Sequence, residues 1–412
     1  MPDHEITKDD IKNVITTIKD CADVGMYMFS KMSKSGAVFV GLGLLVKNLI
    51  VATENAEDTP VMRELKELKK ELKKLGENMG NHFNDLKAFS VAQMFYKEIV
   101  VKTSVLTRAM NDTTAPRNEK AKDASNRFFK EMYDKHSPLE IGYALMEMLD
   151  NEVLNPLKMA MKADQLMTRN TFDGWRNLIA SVLTQLWVLE CFASGMFHEK
   201  DPHRQNQLAS DQELFIKSAN EWEKMYKTKR LFWPNNIRQF VENIQDKNAE
   251  KTSEQKAELI VAGLNKILTD DIFYVAVFRT QYYYHHYPKL PNQQIASKDR
   301  GGCHVFVYRS QEARHIKREY VDRMKTDVEA QRHQTGILQG LVAWITWPYV
   351  KDWGDRLFRN CGFVLVVREG EYVAIRSTHT EIFEWGPGWW LRGSFSKFLG
   401  PREMFVLLSG FK

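Results

Sequence analysis

Side chains that could ligate a metal, attack a substrate or move protons are few in this sequence, and they are scattered. His285 and His286 sit inside the run Tyr282 to Tyr287, the nearest thing to a ligand cluster. Adjacent residues on a helix diverge by about 100°, and no third ligand lies close in sequence, so the run reads as a structural interdomain contact. His198 and His203 are separated by Pro202 and share no helix face. The four cysteines, Cys21, Cys191, Cys303 and Cys361, lie far apart without a C-x-x-C pair. That is neither a zinc site nor a disulfide framework. Four buried thiols are the expectation, with one or two bridges as the alternative in an exported protein. Gly41-Leu42-Gly43 has Val46 where a dinucleotide fingerprint needs its third glycine. A nucleophile elbow, an H-E-x-x-H helix and a Walker run are all lacking. The residues thus predict no metal, no cofactor and no enzyme.

What the sequence does concentrate is apolar surface. Gly36 to Val46 carries no charge, and apolar character continues past Lys47-Asn48 to Ala52. As a helix this segment would span roughly 25 Å, slightly short of a hydrocarbon core of about 30 Å. Hydrophobic on every side, it must be hidden in water. It is either a central bundle helix or a concealed arm released onto a membrane, with Val38, Phe39, Leu42, Leu44, Leu45, Leu49 and Ile50 as the inserting residues. Gly36, Gly41 and Gly43 suit close helix contact in either setting.

Thr59-Pro60 starts the next helix, which places Leu65, Leu68, Leu72, Leu75 and Met79 on a coiled-coil seam. Its outer face bears Arg63, Lys66, Lys69, Lys70, Lys73 and Lys74 against Glu64, Glu67 and Glu71. This is a solvated face, or a basic face suited to anionic lipid.

Aromatic residues gather toward the C-terminus. Trp344 and Trp347 flank an apolar helical stripe, and Gly386-Pro387-Gly388 leads into Trp389, Trp390 and Arg392. Indole rings favour membrane interfaces and sugar or protein partners. These five residues are the expected surface-binding set, although the stripe also serves as plain core.

The elements that must position these residues are mainly helical. A length of 412 residues suggests two domains. From Thr7 to about Tyr287 apolar residues recur at helical spacing, with breaks at Glu54 to Pro60, Asn111 to Asn118 and His198 to Gln207. Residues 1–290 are expected to form an elongated helical bundle. Residues 291–412 are expected to form a smaller α+β domain, with a strand at Gly302 to Tyr308, a helix over Gln311 to Tyr349 and a hairpin of Phe363 to Val367 with Tyr372 to Ile375. A net charge of +5 spread over such a length is no nucleic-acid footprint. The acidic start, Met1 to Asp10, is unlike a secretory signal. No run reaches the length of a permanent transmembrane helix.

Phe83-Asn84-Asp85-Leu86-Lys87 leading to Phe95-Tyr96-Lys97-Glu98, then Tyr143-Ala144-Leu145-Met146, Asp173-Gly174-Trp175 and Leu178 to Ala193, and finally Asp271 to Phe278, together resemble the rapunzel-like proteins, which are similar in outline to the jellyfish toxin family. The likeness runs from about residue 35 to 310. It implies a bundle like those of helical pore-forming toxins, and on the toxin branch it implies membrane permeabilisation by a homo-oligomer. Partners would then be membrane lipid or a cell-surface glycan or protein, and the protein would be secreted or membrane-associated. A cytoplasmic protein is the expectation if the chain is complete as given. The same segments in a non-lytic interaction or scaffold protein would be permanent core.

Overall fold

The structure, a computed structural model, describes residues 90–113, 118–197, 202–229, 233–279, 284–311, 347–356, 358–359, 361–369, 373–378, 388–395 and 403–411, with isolated positions 40, 43, 67, 70, 319 and 326. The chain is mainly helical with a smaller strand-containing C-terminal region. It divides into two compact units, residues 1–164 with 170–225, and residues 165–169 with 226–412.

In the first unit, α1 (Ser90–Phe95) continues through a π-helical turn (Tyr96–Val100) into α2 (Val101–Thr113), and α3 (Glu119–Lys135), α4 (Pro138–Asp150), α5 (Pro156–Ala163), α6 (Arg169–Phe197) and α7 (His203–Lys229) follow. Local chemistry sets several starts. Asn118 accepts from the Ala121 amide at α3, and Ser137 and Glu140 form a capping box around Pro138 at α4. Asn155 caps α5 just ahead of Pro156. The expected break at Asn111 to Asn118 falls between α2 and α3. The loop expected over His198 to Gln207 is shorter, because α7 already begins at His203.

α6 is the axis of this unit. From Val182 to Met196 every side chain on it is buried, the signature of a helix surrounded on all sides. Phe95 meets Trp175 edge-on at 5.5 Å, and Phe129 of α3 meets Phe192 in the same way at 5.4 Å. Such aromatic contacts contribute about 0.5–1.5 kcal/mol beyond burial.

The second unit has α8 (Asn235–Lys247), α9 (Ser253–Leu264) and α10 (Trp347–Arg356), together with strands β1 (Ile272–Arg279), β2 (Tyr284–Pro288), β3 (Gln294–Arg300), β4 (Cys303–Ser310), β5 (Cys361–Glu369), β6 (Ala374–Ser377), β7 (Gly388–Phe395) and β8 (Glu403–Phe411). They make two four-stranded antiparallel sheets, ordered β3-β4-β1-β6 and β2-β5-β8-β7. Tyr274, Phe278, Phe306 and Tyr308 of the first sheet pack against Phe363, Leu365 and Leu408 of the second. The opposite face of the first sheet, Phe273, Val275, Val277, Val305 and Val307, packs on Ile237, Val241, Ile260 and Leu264 of α8 and α9. Helices, first sheet and second sheet are thus three layers with two apolar seams.

This arrangement corrects three expectations. The change from helix to strand comes at Ile272, ahead of the expected boundary near 287–300, and α8 and α9 belong to the sheet-bearing unit. A strand buried on both faces reads as a continuous apolar run, which periodicity cannot separate from a helix segment. The Tyr282 to Tyr287 run enters a strand from Tyr284 onward. The expected hairpin is absent too: β5 pairs with β2 and β8, whereas β6 pairs with β1 in the other sheet. The strand expected at Gly302 to Tyr308 is β4. Of the helix expected over Gln311 to Tyr349, residues 319, 326 and 347–349 are described, and all are helical.

Candidate functional site

The apolar segment meets α6 at Gly43. Val40 and Gly43 are helical, and Gly43 is buried. A Cβ placed on Gly43 would collide with the Phe192 carbonyl oxygen, and it would lie 2.8 Å from the Met196 nitrogen and 3.1 Å from the Gly195 carbonyl carbon. Only glycine lets the two backbones approach this closely, and Gly195 supplies a second small residue on the opposing helix. Val38, Phe39, Leu42, Leu44, Leu45, Leu49 and Ile50 lie outside the described residues, as does the coiled-coil seam of the following helix.

α6 itself, which contains the stretch Leu178 to Ala193, has the length and composition of a membrane-crossing helix, yet 94% of its most apolar 18-residue window is buried. Polar groups tie it to its neighbours. Tyr133 on α3 donates to Glu190 at 2.7 Å, and Arg204 on α7 donates to the Tyr133 hydroxyl while lying 3.7 Å from Glu190. Glu190 is fully buried. Gln185 donates to Thr107 of α2 at 2.7 Å, and Gln212 of α7 donates to Thr184 at 2.9 Å. Burial pushes the Asp211 carboxyl up from its ordinary range, partly offset by the Gln207 amide. Burial, reinforced by neighbouring Glu190, likewise holds the Cys191 thiol well up. Cys191, Cys303 and Cys361 are buried thiols outside any disulfide, as expected, while Cys21 is outside the described residues.

The expected surface-binding residues are described only in part. Trp344 lies outside the described residues, and Trp347 opens α10. Trp389, Trp390 and Arg392 are on β7, in register with Ser409, Leu408 and Val406.

His286, on β2, turns toward the first sheet, with its ring 4.8 Å from Phe306 and 5.4 Å from Tyr308. Burial, helped by the positive charge of Lys298, lowers it from 6.5 to about 3. Burial also holds the Tyr308 hydroxyl well up. Both groups are neutral across the physiological range. Among the described residues no cluster of His, Cys, Asp or Glu could hold a metal ion.

Fold and site together define a two-unit chain, a helical unit built on α6 and a helix-backed β-sandwich, with the close apolar contact at Gly43 in the first. The family model described as Protein of unknown function (DUF684) matches residues 63–398, and the chain belongs to that family. No curated protein and no solved structure matches it.

Proposed function

We propose that this is a non-enzymatic, membrane-acting helical protein. In this reading Gly36 to Ala52 is held against α6 until lipid is available, and then inserts through Val38, Phe39, Leu42, Leu44, Leu45, Leu49 and Ile50. The helical unit is then a bundle of the pore-forming-toxin kind, as the resemblance to rapunzel-like and jellyfish-toxin proteins implies. The sandwich unit binds a surface lipid, glycan or protein, with Trp344, Trp347, Trp389, Trp390 and Arg392 as its first residues to test. Insertion is driven by apolar burial at roughly 25 cal/mol per Å², and the lytic form is a homo-oligomer on the membrane of a secreted or membrane-associated protein.

The observation that carries the reading is the Gly43 contact: this residue of the apolar stretch lies against α6 at close backbone approach. The same contact supports one other reading, a non-lytic interaction protein in which the segment is permanent core.

Gly43→Val separates the two. Overpacking at such a contact costs about 1–3 kcal/mol. A concealed arm loosened by that amount gives more flotation with anionic vesicles and more dye release than the native chain, and Leu44→Asp with Leu45→Asp suppresses both. A permanent core gives lower thermal stability in Gly43→Val and no vesicle binding by any form.

A further inference from the structure

The sandwich unit holds a lysine amine and a cysteine thiol together in its interior. Lys256 of α9 is 3% exposed and Cys303, the first residue of β4, is 2% exposed. The Lys256 Nζ donates to the Gly301 carbonyl at 2.7 Å and the Ala249 carbonyl at 3.3 Å, and stands 3.8 Å from the Cys303 Sγ. Gln245 of α8 is fully buried, and its Nε2 reaches the Arg300 and Cys303 carbonyls at 3.1 Å and the sulfur at 3.6 Å. The thiol itself faces the Arg300 carbonyl at 3.5 Å. Thus two N–H donors, the Gln245 carboxamide and the Lys256 amine, converge on a single sulfur.

A glycine turn borders the site. Gly301 and Gly302 form the turn directly before Cys303, with φ of +54° and +71°. Gly302 is exposed, and a Cβ built on it would meet nothing within 4 Å.

We propose that Lys256 and Cys303 form an oxidant-driven covalent crosslink, a sulfenamide, with hydrogen peroxide as oxidant. The Cys303 thiol sulfur attacks peroxide, and the thiol proton passes to the departing hydroxide. A sulfur–oxygen bond forms, the peroxide O–O bond breaks, and water leaves with the second oxygen. Sulfur loses two electrons and becomes a sulfenic acid, which condenses with a nitrogen nucleophile. The nitrogen within reach is the Lys256 Nζ. Acting as the free amine, its lone pair displaces the sulfenic hydroxyl, a sulfur–nitrogen bond forms, and one amine proton leaves with that hydroxyl as a second water. No further oxidation occurs, and a thiol reductant reverses the linkage.

One independent feature fits the product. The Gln245 Oε1 is buried and has no partner. It belongs to the carboxamide already at the sulfur, and the linked nitrogen keeps one hydrogen that this oxygen can accept. The crosslink would pin α9 to the β3–β4 turn and so bind the helix layer to the first sheet.

The test treats the native full-length chain with hydrogen peroxide, alkylates remaining thiols under denaturing conditions, and maps peptides by mass spectrometry. The expected result is a linked pair containing Lys256 and Cys303, two hydrogen atoms lighter than the sum of the separate peptides and released by dithiothreitol. Cys191 and Cys361 in the same sample stay alkylatable. Lys256→Arg, checked for native thermal unfolding, yields no linked pair and leaves Cys303 as sulfenic or sulfinic acid. Cys303 over-oxidised or still alkylatable in the native chain, with Lys256 unlinked, overturns the proposal. A linked pair heavier by one oxygen atom overturns the sulfenamide chemistry.

Discussion

Replacing His286 by phenylalanine is expected to make the sandwich unit less sensitive to acid, and the size of the effect follows from where the ring sits. In the unfolded chain the imidazole titrates near 6.5, and in the folded protein burial, aided by Lys298, lowers it to about 3. Between those values the unfolded state binds a proton that the folded state refuses, so stability falls as pH drops below 6.5 and stops falling below about 3. The slope is about 1.36 kcal/mol per pH unit, which makes the loss at pH 5 about 2 kcal/mol. Phenylalanine fits beside Phe306 and Tyr308 without a titrating group. His286→Phe shifts stability by a fixed packing offset at all pH values, and only the change in that offset with pH belongs to the histidine. The assay is thermal and denaturant unfolding of the full chain and the variant at pH 7.5 and pH 5, read from the transition that the substitution moves. The variant should gain about 2 kcal/mol relative to the native chain on going to pH 5. An offset equal at both values would refute the placement of a neutral His286 between the sheets.

In the helical unit, Tyr133→Phe leaves a Glu190 oxygen without its hydroxyl donor and should cost on the order of 1–3 kcal/mol in unfolding experiments. A loss below the error of the measurement would remove this contact from the stability of the unit. Gly301→Ala puts a Cβ onto the Gln245 carbonyl oxygen at a residue with φ of +54°, whereas Gly302→Ala meets only open space at +71°. The second should cost about 1–2 kcal/mol, the left-handed penalty, and the first clearly more, so equal melting shifts would contradict the packed turn. If Gly36 to Ala52 is the membrane arm, hydrogen exchange in the presence of anionic vesicles should leave α6 protected while amides of the arm change. Deprotection of α6 at Glu190 would count against it.

Local signals were legible in the sequence wherever a few neighbouring residues decide the conformation. Thr113 and Asn118 bound the polar break between α2 and α3, and the residues of β4 were readable as a strand from their β-branched and aromatic content. Pairing was not legible. β1 is fully buried along all but its last residue, so its period vanished. β5 and β6, close in sequence, join different sheets because their partners, β8 and β1, are set by tertiary contacts. The candidate site divides in the same way. Gly43 could be picked out as a small residue in an apolar run, but nothing in the run named Phe192 to Met196 as its partner. Lys256 and Cys303 are 47 residues apart, and no motif spacing joins an interior helix lysine to the cysteine after a glycine turn.

Composition alone would choose α6 over Gly36 to Ala52 as the segment that enters a membrane, since α6 is the one described helix with the necessary length and apolar character. The contacts argue the other way. α6 carries Thr184, Gln185, Glu190 and Ser194 in its buried stretch, and the first three are hydrogen-bonded to side chains of α2, α3 and α7. Moving it into hydrocarbon takes an acidic side chain toward the bilayer centre, at a cost on the order of 3 kcal/mol, and leaves Thr107, Tyr133 and Gln212 without their partners. The segment docked through Gly43 has no charge between Gly36 and Val46, and its contact with α6 at that residue is one of backbone and small residues, which lipid and protein can each satisfy. α6 is therefore better suited to be the platform and the shorter segment the movable part.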